Sequence, residues 1–349
     1  MNTIRNEIKS SYLIEIKNLR KEFKKPIRGE GISGMVKTLF SRKFELKTAV
    51  KDINFSIGEG EMVGYIGSNG AGKSTTIKMM CGILNPTGGQ VLIEGMEPYK
   101  KRKQVAQNIG VVFGQKTQLW WDIQLIESFK VLKEIYQITD EEYKDRMEFL
   151  EEVLGLSEFL RQPVRTLSLG QRMRADLAAS LLHNPKVLFL DEPTIGLDVL
   201  VKEKIRKAIK EMNKKYNTTV ILTTHDMEDI ENLCNRIIII DEGSIIYDGD
   251  LVSIKNKFGD LRTVTIELRE SPASTDNLDT FGGNVTYELN EKELIVRFDA
   301  LKVNFEKVMN HILKHISMKD MKLKEISIEE VVKEIYKKDE KNEVQVERN

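Results

Sequence analysis

Nine consecutive residues, Gly67-Ser68-Asn69-Gly70-Ala71-Gly72-Lys73-Ser74-Thr75, have the types and spacing needed to hold a chain of phosphates. The glycines let successive backbone N–H groups turn toward one anion, and the start of a helix near Lys73 adds a partial positive charge. Lys73 adds a full charge, and the Ser74 hydroxyl suits Mg²⁺. The flanks are the required ones, with an apolar strand expected at Met62 to Ile66 before the loop and a helix after it. Far downstream, the apolar run Val187-Leu188-Phe189-Leu190 ends in two adjacent carboxylates, Asp191 and Glu192. Asp191, at the carboxyl end of a strand, is placed to hold Mg²⁺ directly or through water, and Glu192 is the candidate to polarise an attacking water. Phosphoryl transfer to water is the chemistry such a set supports.

Such residues must be held by a sheet. From Tyr12 to about Asp260, short β-branched runs alternate with longer helical patterns, which predicts an α/β domain with a largely parallel sheet. Strands are expected at Leu13 to Ile16, Asp52 to Ile57, Met62 to Ile66, Ile109 to Phe113, Val187 to Leu190, Val220 to Thr223 and Ile237 to Ile240. The runs at 187–190 and 237–240 are apolar on both faces and belong inside the sheet. Asp241-Glu242-Gly243 supplies the turn of a hairpin over Arg236 to Asp248. Leu125 to Leu160 reads as continuous helix, with Phe129, Leu132, Ile135 and Tyr136, then Met147, Leu150, Val153 and Leu154, at three-to-four spacing. Period-two runs at 263–268 and 293–298 and a helical Val303 to His315 predict a small α+β domain over 261–337. Residues 1–11 read as a tail, and 338–349, charged and without apolar anchors, as a disordered one.

Composition narrows the function. The chain has 349 residues, 54 Lys+Arg against 54 Asp+Glu and 40% hydrophobic residues, so it reads as a mixed-charge globular protein without bulk attraction to nucleic acid. Cys81 and Cys234 stand apart with no ligand-spaced neighbour, which leaves no disulfide framework or structural zinc site and fits a reducing cytoplasm. No apolar run approaches the ~18 residues of a membrane span, and Met1 to Ser10 has no apolar signal segment.

A third motif, Leu167-Ser168-Leu169-Gly170-Gln171, precedes an Ala-rich helical stretch and lies between the phosphate loop and the Asp191-Glu192 strand. In this order the chain resembles the ATP-binding cassette (ABC) family over roughly residues 12 to 255. Gln115 matches that family's Q-loop, Gly196-Leu197-Asp198 its D-loop and His225 its switch histidine. Leu169 departs from the family's glycine. The resemblance implies a P-loop NTPase (RecA-like) core with an ABC β-subdomain and a helical subdomain at about 115–168. It implies ATP and Mg²⁺ as ligands: Ser74, Gln115 and Asp191 at the metal, and Glu192, His225, Gln115 and Lys73 in catalysis. Ser168, Gly170, Gln171 and Asp198 would meet the nucleotide of a second cassette across a dimer. Phe23 takes the adenine-stacking position, usually Tyr in the family, since stacking needs only the ring, and Phe44 competes because an insertion follows Phe23. His183, His311 and His315 read as ordinary surface or core histidines.

The family further implies a cytoplasmic ATPase working as a dimer beneath separate membrane permease subunits at the cytoplasmic face of the cell membrane. The whole-length pattern, Phe113-Gly114-Gln115 and the Trp120-Trp121 pair included, looks like its exporter branch. A soluble ABC ATPase acting on ribosomes or DNA is the alternative. Within an insertion at 27–47, Ile32, Met35, Val36, Leu39 and Phe40 form one helical stripe, and Arg20 to Lys47 holds nine basic residues against three acidic. That describes a basic amphipathic helix, which either contacts anionic lipid or a membrane protein or packs on its own domain. The Trp pair either faces the membrane partner or packs beneath the helical subdomain.

Overall fold

The computed structural model describes residues 12–26, 44–114, 116–257, 261–270, 278, 281–325, 328–333 and 335–336. Two compact units meet between Asp248 and Gly249, earlier than the 260–261 division expected from composition. The difference has a local cause. Asp248 is tied to Arg236 by two 2.8 Å hydrogen bonds, whereas Asp250 accepts from the Ser253 N–H at 2.7 Å and opens a helix, Leu251–Lys257, that belongs to the second unit.

The first unit holds two sheets. One is antiparallel, with β1 (Ile14–Pro26) between β2 (Phe44–Ile57) and β4 (Gly88–Ile93). The second is built from β3 (Met62–Gly67), β5 (Ile109–Phe113), β6 (Val187–Asp191), β7 (Thr219–Thr223), β8 (Arg236–Asp241) and β9 (Ser244–Asp250), in the order β5-β6-β7-β3-β8-β9. The four pairings from β5 through β8 are parallel. Both doubly apolar runs lie inside it, and Val187 to Leu190 and Ile237 to Ile240 are fully buried. Phe44 to Lys47, expected within the insertion, instead continue β2 opposite Phe23 to Pro26. The proposed amphipathic stripe, Ile32 to Phe40, lies outside the described residues, as do 1–11 and 338–349.

The phosphate loop leads into α1 (Lys73–Met80), and α2 (Arg102–Ala106) precedes β5. The continuous helix expected between 125 and 160 is two helices, α3 (Leu125–Tyr136) and α4 (Asp140–Leu154). Gln137 turns left-handed at φ 56°, and Thr139 starts α4 with a capping box to Glu142, so the chain reverses without a glycine. Phe129, Leu132, Met147, Leu150 and Leu154 are buried, while Ile135 is exposed. Next come α5 (Leu169–Leu181), α6 (Val199–Tyr216) and α7 (Met227–Leu233).

The second unit contains the Leu251–Lys257 helix, α8, and an antiparallel sheet of β10 (Leu261–Leu268), β11 (Val285–Asn290), β12 (Glu293–Asp299) and β13 (Met318–Glu325), ordered β11-β12-β10-β13. Helix α9 (Phe305–His315) buries Val308, Met309 and Ile312 in one cluster with Val264, Ile266, Leu294, Val296 and Phe298. This is the α+β arrangement that alternation predicted. Strands β11 and β13 are additional, and β13 hides in sequence because the adjacent Lys319 and Asp320 interrupt its alternation, leaving only Met321 and Leu323 in phase.

Candidate functional site

A cleft of about 630 Å³ opens at the carboxyl ends of β3, β6 and β7, within the size range of small-molecule sites. Asn69, Gly70, Gly72, Lys73, Ser74, Thr75, Asp191, Glu192 and His225, far apart in sequence, all line it. Local backbone builds the loop. Gly72 caps α1 at φ 110°, and a Cβ there would stand 2.5 Å from the Ala49 carbonyl oxygen, so only glycine serves. The Lys73 Nζ donates to the carbonyls of Gly67 and Ser68 at 2.7 and 3.0 Å, which fixes the ammonium over its own loop. Burial pulls the Lys73 pKa below its ordinary value, and the facing charges of Glu192 and Asp191 oppose that. Gly67, Ser68 and Ala71 shape the loop from behind, with the Ser68 hydroxyl donating to Asp241 at 2.6 Å.

The carboxylates have distinct settings. Asp191 Oδ1 accepts from the Thr223 hydroxyl at 2.5 Å, while Oδ2 stands 3.5 Å from the Ser74 hydroxyl. Glu192 leaves the strand in the left-handed region, φ 56°, a conformation that costs a side-chain-bearing residue about 1–2 kcal/mol. Its N–H donates to the Thr223 carbonyl at 2.9 Å. This turns the side chain to His225, whose Nε2 lies 3.3 Å from Oε1 and whose backbone N–H donates to Oε2 at 3.4 Å. Burial raises the Glu192 pKa, and the His225 and Lys73 charges hold it down. A group shifted toward neutrality in a cleft is suited to taking a proton from water. Among the described residues no cluster of three or more His, Cys, Asp or Glu side chains could cage a metal. One carboxylate beside a serine hydroxyl fits Mg²⁺, which keeps several waters and phosphate oxygens in its shell.

Other expected residues lie outside the cleft lining. Ser168 and Gln171 form a capping box at the start of α5, the Ser168 hydroxyl accepting from the Gln171 N–H at 3.2 Å and the Gln171 amide oxygen from the Ser168 N–H at 2.9 Å. Gly170 faces Val201, where a Cβ would stand 3.1 Å away. Asp198 caps α6 by accepting from the Val201 N–H at 3.0 Å. Phe23 is exposed with Lys21 5.2 Å from its ring centre, and Phe44 is exposed too. Gln115 lies outside the described residues. Trp120 and Trp121 are 41% and 45% exposed, and Arg172 of α5 sits 5.1 Å from the Trp121 ring. His183, His311 and His315 do not line the cleft. Sequence reasoning missed Thr223, which holds Asp191, although its place at a strand end two residues before His225 was a usable signal.

Among the described residues, no helix is long and apolar enough to cross a membrane. Residues 50–195 match the ABC transporter family model. The ABC transporter ATP-binding protein NatA of Bacillus subtilis is 34% identical over 215 residues, 62% of this chain and 87% of NatA. The linearmycin resistance ATP-binding protein LnrL of the same organism is 32% identical over 289 residues, 81% of this chain and 92% of LnrL. Among solved structures, the dimeric post-hydrolysis state of the ATP-binding cassette MJ0796, bound to ADP and Pi, is similar at TM-score 0.56 and 29% identity, covering 68% of this chain and 98% of that one. With a phosphate loop, a strand-end carboxylate pair and a facing histidine gathered at one cleft, this chain belongs to the ABC transporter family and is an ATP-binding, ATP-hydrolysing subunit of such a transporter.

Proposed function

We propose that the chain works as half of a homodimer at the cytoplasmic face of the membrane, where ATP closes two copies and hydrolysis releases them to drive export through separate permease subunits. The observation that carries the catalytic part is the Glu192–His225 pair, 3.3 Å apart at the mouth of the phosphate loop. Glu192 takes the proton of the attacking water. His225 and Gln115 meet the γ-phosphate, and Lys73 with the loop amides balances its charge. Ser74, Asp191 and Gln115 hold Mg²⁺, which when bound neutralises charge on the phosphates. Phe23 stacks on adenine. In the dimer, Ser168, Gly170 and Gln171, at the positive end of α5, together with Asp198, complete the partner copy's site. The dimeric cassette MJ0796 supports the pairing, and the resistance function in LnrL's name supports export. Exposed Trp120 and Trp121 suit the permease face, since tryptophan is favoured at the centre of interfaces.

Glu192→Gln keeps the shape and removes the base, so turnover falls by ~10²–10⁴-fold while ATP binding persists. ATPase rate and nucleotide binding, measured on the same sample, check this. A rate near that of the unmodified chain would overturn the role given to Glu192.

A further inference from the structure

Three lysines line the cleft, and they are held differently. Lys73 is tied to the carbonyls of Gly67 and Ser68 and stays with the phosphate loop. Lys78 and Lys116 line the same cleft but are exposed. Among the described residues neither of these two ammonium groups meets a carboxylate, whereas Lys130, Lys133 and Lys202 of the same unit each reach one, at 2.8, 2.5 and 2.6 Å. A cleft that gathers unpaired charge of one sign raises the local concentration of the opposite ion.

Their positions follow from the elements that carry them. On α1, Lys78 stands four residues after Ser74, so the two share a helix face and lie about 6 Å apart along its axis. Lys116 follows β5, the edge strand next to β6, and its N–H donates to the Phe113 carbonyl at 2.8 Å. Phe113 lies opposite Asp191 in register. Lys78 is therefore placed beyond Ser74 along the helix and Lys116 beyond Asp191 across the sheet, both on the side away from the phosphate loop. Ile83, 53% exposed, and half-buried Phe113 line the cleft with them. Apolar walls of this kind lower the local dielectric and strengthen the attraction of an anion to the lysines.

We propose that Lys78 and Lys116 form a second anion subsite in the cleft, which takes the inorganic phosphate that hydrolysis releases and holds it weakly before it leaves. The inference rests on the ATPase reading of the cleft and deepens it by giving the second product a place. ATP and water yield ADP, inorganic phosphate and a proton. ADP keeps Lys73 and the loop amides, while the phosphate, with roughly one to two negative charges at neutral pH, is left beside the carboxylates of Asp191 and Glu192 and is repelled by them. The two lysines supply uncommitted positive charge in the same cleft. Lysine suits a transient hold, because its ammonium is a hydrated point charge on a flexible stem, without the two-pronged grip of arginine on phosphate. In the last turn of α1, Lys78 also complements the helix dipole, but that role asks for no second lysine in the cleft.

Titration of inorganic phosphate into the ADP-loaded full chain, followed by calorimetry, tests this without requiring turnover. The unmodified chain binds phosphate with a Kd on the order of 1 mM. Lys78→Gln and Lys116→Gln each raise that Kd ~3-fold and the double variant ~10-fold, while the Kd for ADP stays within ~2-fold. In steady-state assays the inhibition constant for added phosphate rises by the same factors, with KM for ATP within ~2-fold. Lys103→Gln, at an exposed lysine outside the cleft, makes the same change in net charge and leaves the phosphate Kd unchanged. The proposal is overturned by absence of phosphate binding up to ~50 mM, by an unchanged phosphate Kd in the double variant, or by an equal loss in Lys103→Gln. A KM for ATP that rises with the phosphate constant overturns it too, by assigning the lysines to the nucleotide. So does a Lys78→Gln variant with lower Tm and unchanged phosphate affinity, which assigns Lys78 to the helix end alone. ADP binding in the same samples reads the nucleotide site separately: a chain that does not bind ADP overturns the ATPase reading and the subsite with it, whereas ADP binding with an unchanged phosphate Kd in the double variant overturns the subsite alone.

Discussion

Asp229, on α7, is fully buried and accepts from three sources: Arg206 Nε at 2.6 Å, the Thr224 hydroxyl at 3.3 Å and the Thr194 hydroxyl. Each donor comes from a different working segment, since Thr194 follows Glu192 by two residues, Thr224 precedes His225, and Arg206 lies on the helix that Asp198 caps. Removing one member of a buried ion pair costs about 3–5 kcal/mol, because the other charge is left in a poor solvent. In Asp229→Ala, Arg206 keeps the exposed Glu228 at 3.0 Å and the half-buried Asp226 at 3.7 Å, so the ionic loss falls near the lower end of that range. Two threonine hydroxyls also lose their acceptor, at about 1 kcal/mol each. The sum is about 5 kcal/mol, which in a domain of this size lowers Tm by ~10 °C or more. Turnover falls as well, because the backbones on both sides of the Glu192–His225 contact lose a common tether. Thermal unfolding followed by circular dichroism reads the first effect, and ATPase rate well below the transition reads the second. The double variant Arg206→Met with Asp229→Ala recovers part of the stability, since no charge is then stranded. A Tm shift under ~3 °C in Asp229→Ala, about 1 kcal/mol on the same scale, would refute the reasoning.

Two further outcomes follow from the geometry. Burial pushes His183 down to about 4, with its Nε2 3.0 Å from the Ile109 carbonyl and its ring stacked on Tyr136. The native state therefore excludes a proton that the unfolded chain binds near its ordinary pKa, so this contribution is whole above pH ~6.5 and is lost as pH falls toward 4, amounting to up to about 3 kcal/mol. His183→Gln flattens that acid limb in urea titrations between those values, and an unchanged limb contradicts it. Gly114→Ala forces its methyl against the Glu192 carbonyl, costs about 1–3 kcal/mol and lowers kcat more than nucleotide affinity, as a parallel rate and binding titration will show.

How much of this was legible depended on how local each signal is. The phosphate loop could be read because its function lies in nine adjacent residues, and Asp191-Glu192 because an apolar run ends abruptly in charge. The outer half of β2 could not: Phe44 to Lys47 alternate apolar and polar over only four residues beside a basic stretch, and all four are exposed, so no buried face marks them as strand. The break between α3 and α4 was hidden because Gln137, not glycine, takes the left-handed turn, and the Thr139 cap looks like any polar residue inside a helical pattern. Asp229 belongs to a third kind. It is a carboxylate on the buried side of a helix, visible in sequence as a break in the apolar face, but its partners Arg206 and Thr194 lie 23 and 35 residues away, so only the fold supplies the meaning.

The same distinction explains why the site works as a constellation. In the order β6-β7-β3, strand β7 lies between the strand that ends in Asp191 and the strand that ends in the phosphate loop. His225, two residues beyond β7, therefore emerges between the carboxylates and the loop, where sequence position alone would not place it. Parallel pairing aligns all three carboxyl ends, with Asp191 opposite Thr223 in register, so one hydroxyl from the middle strand orients the carboxylate next to Ser74. The Thr223 carbonyl holds the N–H of Glu192 in its strained turn. A single strand end thus fixes both acids and delivers the histidine, and the left-handed backbone at Glu192 is the local strain that a shared anchor of this kind can sustain.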